Sequence, residues 1–161
     1  MASRLVRYAG RHHVLLLALP RGGVPVAFEI AQGLHAPLDV FLVRKLGVPG
    51  NEELAMGAVS SRSRAGAPND VLEILNISSL AIDAVTETEL RELRRREQLY
   101  RGSRPPPVIA GYAVILVDDG LATGSTMRVA AAAVKRQRPA RLIAAVPVAV
   151  PEAASKLKAE G

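Results

Sequence analysis

Val114–Thr126 reads VILVDDGLATGST. An apolar run ends in two adjacent carboxylates, Asp118 and Asp119, and a short loop of small and hydroxylated residues follows. Ser125–Gln137 (STMRVAAAAVKRQ) then has the composition of a helix. The apolar run, Ala113–Val117, is continuous rather than alternating, which is how strands covered on both faces of a parallel sheet read. Three more such runs are Val14–Leu19 (VLLLAL), Val40–Val43 (VFLV) and Leu142–Val150 (LIAAVPVAV). Val24–Leu34 (VPVAFEIAQGL) supplies a helix between the first two, as Ser125–Gln137 does between the last two. The alternation predicts an α/β fold, a parallel-sheet core flanked by helices on both faces.

Between the second and third runs, about residues 46–107, the pattern breaks. A loop rich in Gly, Asn, Ser and Arg (GVPGNEELAMGAVSSRSRAGAPND) precedes a short apolar stretch, Val71–Ile77. A charged helix follows over Thr86–Tyr100 (TETELRELRRREQLY). Thr86 with Glu89 has the form of a capping box, and Leu90, Leu93 and Tyr100 fall roughly on one face. An irregular stretch this long inside a compact domain reads as a flexible lid. The whole chain reads as one domain carrying that insertion. Its last residues, PEAASKLKAEG, read as a helix just begun, and a sheet of this type is expected to continue, which suggests truncation.

With 161 residues and 49% hydrophobic content the chain can bury a sizeable core. It has no cysteine, which excludes disulfides, thiolate zinc sites and cysteine nucleophiles and points to a reducing, cytoplasmic setting. No apolar run is long enough to span a bilayer. Lys and Arg number 21 against 15 Asp and Glu, a formal charge of +6 that suits a polyanionic partner. Only 3% of residues are aromatic, so stacking platforms for nucleic acid are scarce and a phosphorylated metabolite is the better match. His12-His13 has no carboxylate or third histidine near it and reads as a solvated pair. Arg94-Arg95-Arg96 is interleaved with Glu87, Glu89, Glu92 and Glu97 and reads as an exposed ion-paired face.

The chemistry concentrates at the end of the Ala113–Val117 run. Small residues there let backbone N–H groups curl around a phosphate, hydroxyls add donors, and the helix N-terminus adds a favourable dipole. The two carboxylates cannot hold a phosphate themselves. They need a neighbour with hydroxyls or positive charge, such as a ribose, and both reach one sugar only if the chain turns at Gly120.

VILVDDGLATGST resembles the phosphoribosyl pyrophosphate (PRPP) signature of the type I phosphoribosyltransferases. Two further segments match that family in order. Leu19–Gly23 (LPRGG) stands where the family has its pyrophosphate loop, with Arg21-Gly22 at the dipeptide whose unusual peptide turns an N–H toward the ligand. Arg44-Lys45, in VRKLGVPG, is similar to the basic pair and glycine loop of adenine-type enzymes. In style (RGGVPVA, RKLGVPGNEELAMGAV, RREQLYRG) the chain looks closest to uncharacterised bacterial members.

The resemblance implies transfer of a phosphoribosyl group from PRPP to a nitrogenous acceptor, a nucleobase, with release of pyrophosphate. On that reading Asp118 and Asp119 bind the ribose hydroxyls, and Leu121, Ala122, Thr123, Gly124, Ser125 and Thr126 cradle the 5-phosphate. Arg21, Gly22, Arg44 and Lys45 neutralise the pyrophosphate, and Mg2+ is bound mainly through PRPP itself. Ala122 departs from the hypoxanthine-type pattern, where an acid serves as general base; Glu53, in NEELAMG, is the candidate by analogy with adenine-type enzymes. Two alternatives stay open: a PRPP-sensing regulatory protein, and a catalytically weak truncated homologue. An unpaired sheet edge also leads us to expect a homo-oligomer.

Overall fold

The computed structural model describes residues 5–60, 63–66 and 77–160. After a 3-10 turn, Val6–Tyr8, the elements run β1 (Val14–Ala18), α1 (Gly23–Leu34), β2 (Leu38–Val40), β3 (Val43–Val48), β4 (Asn51–Ser60), β5 (Ser63–Gly66), α2 (Ser79–Arg101), β6 (Ala113–Val117), α3 (Ser125–Lys135), β7 (Arg141–Ala145) and α4 (Pro151–Ala159). They divide into two compact units, Met1–Phe41 with Pro106–Gly161, and Leu42–Pro105.

The first unit is built on a parallel sheet of order β2-β1-β6-β7. All of β1 and the last four residues of β6 are buried, which is why both read as unbroken apolar runs. The pleat sorts their side chains between two layers. Val14, Leu16, Ala18, Ile115 and Val117 pack with Ala27, Ile30, Ala31 and Leu34 of α1. On the other face Leu116, Leu142 and Ala144 share a cavity of about 460 Å³ with Ala131 and Ala132 of α3 and Leu157 of α4. His13 lies outside the core with its ring edge-on to Tyr112, 5.4 Å between centroids.

The second unit carries an antiparallel sheet of order β3-β4-β5, with α2 packed on β3 and β4. Leu42, Leu46, Val48, Val59 and Leu93 form its buried core. The Gly- and Ser-rich stretch expected to be a loop is therefore largely strand, reversed at Gly50, whose φ is +82°. The Val40–Val43 run is divided between two sheets. Phe41 N–H closes onto Ala18 O at 2.8 Å and ends β2, while Leu42 joins the second core. Most of Val71–Ile77 lies outside the described residues.

Helix α2 starts seven residues ahead of the expected Thr86. Ser78 is its N-cap, Oγ accepting from Ala81 N–H at 3.2 Å. Thr86 is buried within the helix and donates its hydroxyl to Ile82 O, so no capping box forms there. Of the expected face, Leu93 is fully buried and Leu90 packs against the core, while Tyr100 is exposed. Arg95 and Arg96 both pair with Glu92 at 2.7 Å, and those two arginines hold its carboxyl down at about 2. Two of the three consecutive arginines, Arg95 and Arg96, are thus ion-paired along the helix.

Candidate active site

From β1 the chain steps one way across the sheet to β2, and from β6 it steps the other way to β7. The loops leaving these two central strands therefore diverge and open a crevice at their carboxyl ends, the usual ligand position of an open parallel sheet. Both loops carry the residues singled out in the sequence.

The loop after β1 is held tightly. Leu19 N–H reaches Val117 O at 2.8 Å, extending the ladder one step, and Gly23 N–H reaches Leu19 O at 3.0 Å. The peptide between Pro20 and Arg21 is cis, so the unusual bond lies one residue ahead of the Arg21-Gly22 dipeptide expected to hold it. Two glycines then let the loop press on the end of β6. A β-carbon on Gly22 would lie 1.8 Å from Oδ2 of Asp119, and one on Gly23 would lie 2.5 Å from Val117 O. Arg21 is exposed beside this contact. Gly23, in the sequence only part of LPRGG, is thus a residue on which the site's assembly depends.

Asp118 is half-buried and Asp119 exposed. Burial pushes the Asp118 carboxyl above the usual carboxylate range, opposed by the Asp119 N–H, which donates to Asp118 Oδ1 at 2.9 Å. The negative charge of Asp119 adds to the upward push. A pair of carboxylates at the crevice floor, with one resisting ionisation, suits hydroxyl recognition and the stabilisation of nearby positive charge.

Beyond Gly120 the loop is braced from behind. Leu121 is buried, its N–H donating to Val148 O at 3.0 Å and its carbonyl accepting from Val150 N–H at 2.9 Å. This brace uses the second half of the Leu142–Val150 run, in which Pro147 stands just beyond the end of β7. Ala122 and Thr123 are exposed, Gly124 takes the left-handed conformation at φ +74°, and α3 begins at Ser125. Thr123 Oγ1 lies 3.1 Å from Ser125 Oγ and accepts weakly from Ser125 N–H at 3.4 Å. With no acidic side chain in its first turn, α3 offers N–H groups, hydroxyls and the positive end of its dipole to an anion. Thr126 is exposed at the same end.

Arg44, Lys45 and Glu53 belong to the second unit. Arg44 on β3 is ion-paired through Nε to Oε2 of Glu89 on α2, and Lys45 is exposed. Glu53 lies in strand β4 rather than in a loop, and its side chain is outside the described residues. Among the described residues no three His, Cys, Asp or Glu side chains cluster to hold a metal ion. No helix of the described residues is long and apolar enough to cross a membrane.

The family model described as phosphoribosyl transferase domain matches residues 1–160. The chain belongs to this phosphoribosyltransferase family. A Mycobacterium tuberculosis protein named "Putative phosphoribosyl transferase" is 42% identical over 148 residues, covering 92% of this chain and 33% of its own length. The chain thus spans about a third of the curated relatives it matches. The crystal structure of TT1426 from Thermus thermophilus superposes with a TM-score of 0.82 at 40% identity, covering 99% of this chain and 78% of that one. A purine phosphoribosyltransferase from Pyrococcus horikoshii, with a TM-score of 0.54 at 17% identity over 93% of this chain and 68% of its own, shares the fold. As a phosphoribosyltransferase-type α/β domain, the chain matches both the fold and the family its sequence resembles.

Proposed function

We propose that this phosphoribosyltransferase transfers the phosphoribosyl group of PRPP to a nucleobase-type nitrogen and releases pyrophosphate. The observation that supports the reading is the close approach of Gly22, in the LPRGG loop, to the Asp119 carboxylate at the end of β6. The C1–O bond to pyrophosphate breaks, the leaving group keeps the electron pair, and the acceptor nitrogen bonds to C1. Positive charge develops on the ribose, and Asp118 and Asp119 act on it while accepting from the ribose hydroxyls. Leu121–Thr126 hold the 5-phosphate. Arg21 and the Gly22 backbone, with Arg44 and Lys45, neutralise the departing pyrophosphate. Glu53 is the base that takes the acceptor's proton.

Mg2+ fits this donor set through water: two carboxylates stand at the crevice, and a hard cation of this size keeps several waters and binds chiefly to substrate phosphates. Bound with PRPP, it supplies charge neutralisation of the pyrophosphate oxygens.

The test is pyrophosphate release from PRPP with adenine, guanine, hypoxanthine, xanthine, uracil and orotate in turn. Base-dependent release supports transfer. PRPP binding without release would favour a PRPP-sensing protein, and absence of binding would overturn the reading.

A further inference from the structure

The crevice lies at the carboxyl ends of β1 and β6. The opposite, amino-terminal edge of the same sheet has no part in the proposed chemistry. Val14, Ala113 and Arg141 stand in register across β1, β6 and β7, so these strands enter the sheet side by side, about 5 Å apart. The segments leading into them are stitched together by main-chain hydrogen bonds. Ala113 N–H donates to His13 O at 2.8 Å, Ala140 N–H to Tyr112 O at 2.9 Å, and Gly111 N–H to Arg138 O at 3.1 Å. Gly10 N–H ties in the end of α1 through Leu34 O at 3.2 Å.

These segments carry one sign of charge. Val6–His13 (VRYAGRHH), Val108–Tyr112 (VIAGY) and Lys135–Arg141 (KRQRPAR) contain no Asp or Glu. Arg7, Arg11, Arg138 and Arg141 are all exposed, as are His12 and His13. Glu29 lies more than a turn back from the end of α1, and Asp39 accepts from the N–H of Val40 at 2.7 Å. Glu160, on the flank of α3, is engaged by Arg128, and its carbonyl by Lys135. The carboxyl ends of α1 and α3 bring about half a negative charge each to this edge, which four arginines outweigh.

A row of guanidinium groups suits a partner whose anions repeat along a line. Duplex nucleic acid presents one phosphate charge per about 1.7 Å of its axis. Unpaired bases would need stacking surfaces, and the ring of Tyr112 at this edge is half-buried and meets His13 edge-on. We propose that the amino-terminal edge of the parallel sheet is a docking surface for the phosphate backbone of duplex nucleic acid. It reads no base sequence, and it is separate from the crevice proposed for PRPP.

The experiment follows fluorescence anisotropy of a short labelled DNA duplex of mixed sequence, titrated with the full chain over a series of salt concentrations. We expect a Kd of about 10⁻⁶–10⁻⁴ M at physiological salt, with log K falling against log salt at a slope of about −3. Arg11→Gln, Arg141→Gln and Arg138→Asn should each make that slope shallower by about one. Asparagine is chosen at 138 because the backbone there is left-handed, φ +55°. Each variant is checked for parent-like thermal unfolding. Lys156→Gln on α4 and Arg94→Gln on α2 should bind the duplex like the parent, and saturating magnesium PRPP should leave duplex binding unchanged. Absence of duplex binding overturns the proposal, as does parent-like binding in the triple variant. Equal losses in Lys156→Gln or Arg94→Gln would show a diffuse charge effect and overturn it too. Displacement of the duplex by PRPP would place the phosphates in the crevice instead. Sedimentation with phosphatidylserine vesicles completes the test: binding to vesicles but not to the duplex would assign the edge to a lipid surface and overturn the proposal.

Discussion

Gly22 brings its α-carbon so close to Asp119 that a β-carbon there would stand 1.8 Å from the carboxylate oxygen Oδ2. The backbone at Gly22, φ −61° and ψ −34°, is one that alanine adopts freely, so the glycine is there for space alone. One loop and one carboxylate are fitted to each other across the two central strands.

Gly22→Ala should therefore spare the fold and damage the site. Asp119 is exposed and can swing aside, so the melting temperature should move little while PRPP affinity falls. Gly23→Ala meets the backbone at Val117 O, 2.5 Å away, and backbone cannot yield. It should lose about 1–3 kcal/mol of stability, the usual cost of overpacking. Thermal unfolding beside PRPP calorimetry separates the two, and parent-like affinity in Gly22→Ala would remove Asp119 from the site.

Asp119→Asn and Asp118→Asn should each lower kcat by roughly 10²–10³, because each removes preorganised negative charge needed most in the transition state. Steady-state kinetics on whichever base proves active would check this, and parent-like turnover in both variants would refute the ribose assignment.

Asp118 also makes a statement about stability. Burial raises its carboxyl in the folded chain, so the native state holds that proton at pH values where the unfolded chain has released it. Stability contributed by this group falls as pH rises from the unfolded value through the raised folded one, and the desolvation cost is complete above it. Asp118→Asn keeps an oxygen for the Asp119 N–H and removes the cost. The variant should unfold at a higher temperature than the parent at pH 7, with the gap closing in acid. A gap that is constant with pH would show that burial of the charge is not the cause.

Gly124 has room for a side chain but not the backbone for one. A β-carbon would sit 3.6 Å from both Ala153 Cβ and Leu121 Cδ1, an ordinary contact, whereas φ is +74°. Gly124→Ala should cost about 1 kcal/mol for the left-handed conformation, and the β-branched Gly124→Val more. If the loop holds the 5-phosphate as proposed, relief of that strain would displace it, and ribose 5-phosphate affinity should fall in the order Gly, Ala, Val. Calorimetry finding all three equal would exclude this loop as the phosphate cradle.

Where a stretch serves one core, its role is legible in the residues. Ala113–Val117 is strand from end to end, and Asp118 through Thr126 lead from it into a helix N-terminus as their composition requires. Val40–Val43 misleads because neighbouring apolar residues, Phe41 and Leu42, are buried in different units. The strands of the second unit hide behind Gly, Ser and Arg, whose β-structure comes from pairing partners and not from propensity. Thr86 mimics a cap because a buried threonine satisfies itself on the preceding turn, a choice only packing decides. Glu89 looks like one surface charge among several; nothing in its spacing says that it reaches a strand far back in the chain.

The central seam of the sheet joins Leu16 to Ile115, residues about a hundred positions apart, while Leu16 also pairs with Leu38 about twenty away. Closing the longer loop costs about 1.3 kcal/mol more in chain entropy, and an insertion already folded shortens that loop without abolishing it. The β1-α1-β2 and β6-α3-β7 halves are each local, so the slow event of refolding should be their docking. In pulse-labelled hydrogen exchange, amides donated between β1 and β6 should gain protection after those within either half; simultaneous protection would argue for a single nucleus spanning the seam. The crevice lies on that seam. Ligand-binding competence and completion of the fold are then one kinetic event, and a half-assembled chain has no pocket to offer.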